Sequence, residues 1–148
     1  MKKYLFLFLA IIVSSCSSDD VINYDTENEA EIKKYISDNN LSAQRSNSGL
    51  YYVINNEGTG EKPTSTSNVT VTYKGYFTNG NVFEQNSNGV SFNLQQVIKG
   101  WTEGITYFKE GGNGILLIPS KLGYGSQDVG TIPGGSVLIF DVKLLKVN

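Results

Sequence analysis

The 148-residue chain is long enough for one domain with a real core, and 39% hydrophobic with 18% charged residues is a globular rather than a disordered composition. A net charge of −2 and the lack of any basic run exclude nucleic acid as a natural partner. Histidine is absent and Cys16 is the single cysteine, which removes the commonest general base, the commonest metal ligand, intrachain disulfides, Cys₄ zinc sites and Cys–His nucleophilic pairs.

Residues 1–16, MKKYLFLFLAIIVSSC, join two lysines to an apolar run from Tyr4 to Val13 and then to two small serines before Cys16. That order is the pattern of an export signal, and the run is too short to span a bilayer as a helix. The junction before Cys16 resembles a bacterial lipobox, with Val13 in place of the usual leucine. The resemblance implies a lipoprotein signal peptide over residues 1–15 and lipidation (palmitate among the chains) of Cys16, which becomes the mature N-terminus. Several acyl chains on one residue anchor a protein stably. The expected location is a bacterial cell envelope, with the outer membrane favoured and the domain facing periplasm or cell surface. SSDD at 17–20 resembles the acidic export tags of some surface lipoproteins.

Residues 16–47 read as a lipid-anchored linker. Within it, TENEAEIKKYISDNN (26–40) predicts a short helix at about 27–38. Thr26 and Glu29 fit a capping box, and Glu27 and Glu29 near the start with Lys33 and Lys34 later suit the helix dipole. Ile32, Tyr35 and Ile36 form a narrow apolar stripe, and Asn39 and Asn40 are terminators. Such a helix packs on the following domain or acts as a spacer. SAQRSNSG (42–49) reads as a second polar link.

Strand signals dominate from there on. A strand is predicted at 50–54. NVTVTYKGYF follows, with Val69, Val71, Tyr73, Gly75 and Phe77 on one face and Thr70, Thr72, Lys74 and Tyr76 on the other. Asn79-Gly80 signals a hairpin, NVF (81–83) begins the return strand, and VSFNL (90–94) alternates again. QVIKGWTEGI (96–105) places Ile98, Trp101 and Ile105 at helical spacing, with Gly100 inside it. A continuously apolar strand at 115–118 ends at Pro119, and 121–135 is a long glycine-rich loop carrying Tyr124 and Ile132. SVLIFDVKLLKV is apolar on both faces in its first part, which places it centrally in the sheet. The expected class is α+β, about five antiparallel strands with one short helix covering a sheet face.

Conventional hydrolytic motifs are missing. GYGS (123–126) lacks the lysine and the following helix of a phosphate loop, and neither G-x-S-x-G nor H-E-x-x-H occurs. VTVTYKGYFTNGNVFE, VSFNLQQVIKGWTEGI, LLIPSKLGYG and GTIPGGSVLIFDVKLLKV, in that order, closely resemble an FKBP-type peptidyl-prolyl cis–trans isomerase over residues 48–148. The short segment from Leu94 to Val97 resembles bacterial members related to macrophage-infectivity-potentiator proteins. The family fold is a twisted antiparallel sheet wrapped around one short helix.

Carried over by position, the resemblance implies catalytic roles for Tyr73, Phe83, Glu84, Trp101, Tyr124 and Phe140, and substrate contacts for Phe92, Val97, Ile98 and Ile132. The tryptophan would be the pocket floor, while the Tyr124 hydroxyl and the Ile98 amide would bind ligand carbonyls. Two positions depart from the family pattern: Glu84 stands where aspartate is usual, and Val90 where a second wall aromatic is common. Neither a cofactor nor a metal is implied. The implied partners are proline-containing polypeptide clients among exported proteins, macrolides of the rapamycin class and the membrane through Cys16, with the protein itself a monomer. Two other uses of the same fold stand beside isomerase activity: a binding module or holdase with weak or no turnover, which Glu84 and Val90 favour, and a scaffold in a surface assembly.

Overall fold

The computed structural model describes residues 22–148; the signal-peptide and Cys16 expectations lie outside them. The element order is α1 (Asp25–Asp38), β1 (Gln44–Arg45), β2 (Tyr51–Asn56), β3 (Asn68–Tyr76), β4 (Val82–Asn93), α2 (Lys99–Gly104), β5 (Asn113–Ile118) and β6 (Leu138–Val147). The strands form one antiparallel sheet in the order β1-β2-β5-β6-β3-β4. The sixth strand, β1, lies in the stretch expected to be a polar link; two residues are too few for a periodicity to register.

β6 sits in the interior of the sheet, between β5 and β3, as its two apolar faces require. Leu138, Phe140, Val142 and Leu144 join the core on the α2 side, while Ile139 points to the opposite core. Along β3, Val69, Val71, Tyr73 and Gly75 are buried on the α2 side, matching the alternation in the sequence. The Asn79-Gly80 turn is present: the Gly80 amide donates to the Phe77 carbonyl at 2.9 Å, and Gly80 has φ +88°. β4 is one strand interrupted by a bulge. The Asn88 and Gly89 amides both donate to Asn86 Oδ1, and the register against β3 shifts between Val71 and Tyr73.

α2 is only six residues long and continues into a 3₁₀ turn, Ile105–Tyr107. It lies close on β5 because two of its residues lack a side chain. A Cβ at Gly100 would stand 2.6 Å from Ile118 Cγ2, and one at Gly104 would stand 2.7 Å from Leu116 Cδ2.

α1 packs on the opposite face of the sheet, which decides between the docked helix and the spacer. Ile32 is fully buried with Tyr51, Val53, Leu117, Val137 and Ile139. Burying that one side chain contributes about 1.5–3 kcal/mol. The expected Thr26–Glu29 capping box does not form. The helix starts at Asp25, Tyr24 occupies the N-cap without a side-chain bond, and Asn23 Oδ1 accepts the Asp25 amide at 2.9 Å. Glu29 instead accepts the Tyr51 hydroxyl at 2.6 Å and pairs with Lys33 and Arg45. Tertiary partners outcompete the local cap. Lys33 and Lys34 are not in the last turn; they form i,i+4 pairs with Glu29 and Asp38. Asn39 is the C-cap, and Asn40 follows at φ +51°, so the predicted terminators hold.

Candidate active site

Four side chains from three strands and α2 meet on the α2 side of the sheet. Trp101 makes edge-to-face contacts with Tyr73 (centroids 5.1 Å, 89°), Phe92 (5.7 Å, 87°) and Phe140 (5.3 Å, 83°). Each such pair contributes about 0.5–1.5 kcal/mol beyond its buried area. Phe83 extends the wall from β4, edge-on to Phe140 at 5.5 Å, and Phe77 packs on Phe83 at 5.0 Å. Trp101 and Phe140 have no exposed surface and form the base. Ile98 and Ile132 are also buried, while Phe83, Val97 and Tyr124 are half-buried and pack against the same cluster.

The strand register builds one polar pair into this apolar wall. Gly75 lies opposite Glu84, so Glu84 sits two residues along β4 from the partner of Tyr73, Asn86. The Tyr73 hydroxyl donates to Glu84 Oε1 at 2.7 Å. The longer glutamate therefore still reaches the tyrosine. Glu84 Oε2 and Trp101 Nε1 are buried and have no hydrogen-bond partner. Burial raises the Glu84 pKa, and the bond from Tyr73 only partly opposes this. Burial also raises the Tyr73 pKa, with the Glu84 bond adding to it, and raises that of Tyr124, with the Glu84 charge adding to it. Both phenols therefore stay protonated around neutral pH, and Tyr73 donates its hydrogen bond to Glu84.

Ile98 is the N-cap of α2. Its carbonyl accepts the Trp101 amide at 2.9 Å and the Thr102 amide at 3.1 Å, while its own amide lies ahead of the helix and takes no part in the helical bonds. The Thr102 hydroxyl ties the helix back to the Leu94 carbonyl. Tyr124 and Ile132 arrive on the glycine-rich loop, which closes through the Gly125 amide to Ser120 O (2.8 Å) and the Gly135 amide to Gly125 O (2.9 Å).

All ten residues expected from the sequence thus belong to one apolar cluster or border it directly. Sequence reasoning missed Gly75 and Phe77 as members. A Cβ at Gly75 would stand 2.7 Å from the Phe83 ring and 2.8 Å from Phe140, so only glycine admits both rings. The glycine inside an alternating strand was the available signal. A separate concavity of about 670 Å³ opens elsewhere, lined by polar residues such as Lys74, Asp141 and Lys143, and shares only Tyr73 with the aromatic cluster. No group of His, Cys, Asp and Glu suited to a metal ion occurs among the described residues.

The model of the FKBP-type peptidyl-prolyl cis-trans isomerase family matches residues 59–145, which include every residue of the aromatic cluster. This chain belongs to that family. A curated FKBP-type isomerase, FkpA of Buchnera aphidicola subsp. Baizongia pistaciae, is 38% identical over 151 residues, covering 100% of this chain and 58% of the relative. The crystal structure of FkpA from Escherichia coli superposes with a TM-score of 0.75 at 39% identity, over 84% of this chain and 61% of that one. A peptidyl-prolyl isomerase structure from Pseudomonas syringae gives 0.74 at 27% identity, over 89% of this chain and 99% of that one. The chain spans about half the length of the curated FKBP-type relatives it matches, between 39% and 58%. α1 lies ahead of the segment that the family model covers.

Proposed function

We propose that this protein accelerates cis–trans rotation about X–Pro bonds in exported polypeptides by holding the twisted amide against the Trp101 cluster. The carrying observation is the aromatic wall around Trp101, into which one polar pair, Tyr73–Glu84, is built and in which the Trp101 indole N–H has no hydrogen-bond partner.

The chemistry suits such a wall. Amide rotation has a barrier of roughly 18–20 kcal/mol, and an unassisted X–Pro bond takes tens to hundreds of seconds to turn. Twisting breaks amide resonance, so the carbonyl is less polar at the transition state than in the planar ground state. A water-poor pocket therefore favours the twisted form, and each tenfold gain in rate needs only about 1.4 kcal/mol of that preference. No bond is broken and no proton leaves, which accounts for a site without histidine or cysteine.

Phe83 and Phe92 wall the proline ring, with Trp101 and Phe140 beneath it. Tyr124 and the Ile98 amide hold the flanking carbonyls in place. Amide rotation transfers no proton and one Glu84 carboxylate oxygen already accepts the Tyr73 hydroxyl, so Glu84 acts as an oriented dipole or charge and not as a general base. Cys16 carries the lipid anchor, supported by the charged, apolar and small-residue order of residues 1–16.

Refolding of a protein whose slow phase is rate-limited by proline isomerisation tests the reading. Catalytic amounts of this protein should speed that phase in proportion to concentration, and a rapamycin-class macrolide should suppress the effect and quench Trp101. Suppressed aggregation with the slow phase unchanged would make it a holdase instead. Globomycin-sensitive processing, abolished by Cys16→Ser, tests the anchor separately.

A further inference from the structure

Asn28 and Ser120 are the two buried polar residues in the described structure, at 2% and 4% exposure, and they are bonded to each other across 92 residues of chain. Asn28 Oδ1 accepts the Ser120 amide at 2.8 Å and the Ser120 hydroxyl at 2.7 Å. Asn28 Nδ2 donates to the Gly135 carbonyl at 2.9 Å. Both lone pairs of the side-chain oxygen are used, and one carboxamide spans the two ends of the loop that carries Tyr124 and Ile132.

The neighbouring contacts of α1 act on the same loop. A Cβ at Gly135 would stand 2.5 Å from the Tyr24 ring, so that ring covers the second end of the loop directly. Lys121 pairs with Asp25 at 3.6 Å next to the first end. α1 also holds the hairpin ahead of Phe83 and Glu84, since the Thr78 hydroxyl donates to Glu31 Oε1. A buried carboxamide with three bonds is a costly group to place unless all its bonds are made, and it then fixes geometry more sharply than apolar packing does.

We propose that Asn28 is a positioning residue of the pocket: by clamping Ser120 and Gly135 it sets where Tyr124 and Ile132 stand over the aromatic cluster. α1 is then a part of the working site although it lies on the far face of the sheet and outside the family-matched segment. The catalytic arm of this inference rests on the isomerase reading; the placement of the loop does not.

The test uses the purified protein with Asn28→Ala, with Ser120→Ala, which removes one of the three bonds, and with Lys34→Ala as an exposed control on the same helix. Amide hydrogen exchange and isomerase kcat/KM on an X–Pro peptide are read together. In Asn28→Ala the Gly123, Gly125 and Gly135 amides should exchange about tenfold faster relative to the β6 amides, and kcat/KM should fall about tenfold. Ser120→Ala should show the same pattern at a smaller amplitude, and it decides the matter if Asn28→Ala does not fold. Lys34→Ala should match the wild type in both.

Loop and β6 amides accelerating together would mean that Asn28 contributes only global stability and would overturn the proposal. So would a selectively loosened loop with kcat/KM within twofold of an active wild type. A wild type without isomerase activity would sink the isomerase reading, and loop exchange together with macrolide affinity would then decide the role of Asn28 alone.

Discussion

Adding one methyl group at Gly100 tests the seating of α2 and Trp101 on the sheet. The new Cβ would lie 2.6, 2.7 and 2.9 Å from three side-chain carbons of Ile118, which is fully buried. Carbon contacts are optimal near 3.5–4.0 Å, so α2 must rise by about 1 Å or Ile118 must leave its rotamer. Overpacking of this kind costs about 1–3 kcal/mol. The intrinsic preference of a helix for alanine over glycine returns about 0.5–1 kcal/mol. Taken at mid-range, the balance is a loss of about 1 kcal/mol, seen as a urea midpoint lowered by about 0.5 M in Trp101 fluorescence. Because Trp101 is the next residue, kcat/KM should fall as well. Ile118→Ala removes the three clashing carbons, so the double variant should be no less stable than Ile118→Ala alone, a coupling of about 1 kcal/mol or more. Gly100→Ala as stable as the wild type, or more stable, would refute the close-approach account and leave helix propensity in control.

Burial raises the folded pKa of Glu84 above its ordinary 4.5, so the stability it contributes is intact below 4.5 and is lost as pH rises through the folded value. Glu84→Gln keeps an acceptor for Tyr73 and cannot ionise; urea titrations should show the wild type losing ground to it as pH rises above about 4.5, whereas a growing wild-type advantage would reverse the sign of the account. The same variant should keep most of its activity, because loss of a true general base costs about 10²–10⁴-fold. Tyr124→Phe deletes the donor proposed for a substrate carbonyl, so kcat/KM should drop about 3–10-fold while the urea midpoint stays within error. Ile32→Ala empties a site fully enclosed between α1 and the sheet and should cost about 2–5 kcal/mol by urea denaturation; a loss under 1 kcal/mol would mean that α1 is not docked in solution.

The parts of the fold written in local periodicity were legible without coordinates. Alternation along Val69, Val71 and Tyr73 gave the buried face of β3, and the doubly apolar start of β6 gave its place inside the sheet. Features that depend on register or on distant partners were not legible. The Tyr73–Glu84 bond exists because a bulge at Asn86–Gly89 resets β4 against β3, and no residue pattern states that offset. Glu29 reads as a capping residue until Tyr51 and Arg45, brought in by β1 and β2, take its carboxylate. Asn28 looks like a solvated helix residue, although it lies one turn before Ile32 on the same buried face. The motifs carried the aromatic wall almost complete; what they omitted was its bracing from the other side of the sheet.

The central claim is rotation of an X–Pro amide in an apolar pocket with no proton transferred. It is tested most directly by exchange NMR on a short X–Pro peptide at equilibrium, with no coupling protease, in H₂O and in D₂O. The account predicts cis–trans exchange that grows linearly with protein concentration and proceeds at the same rate in both solvents. Exchange no faster than in the peptide alone, or a rate several-fold slower in D₂O, would contradict it.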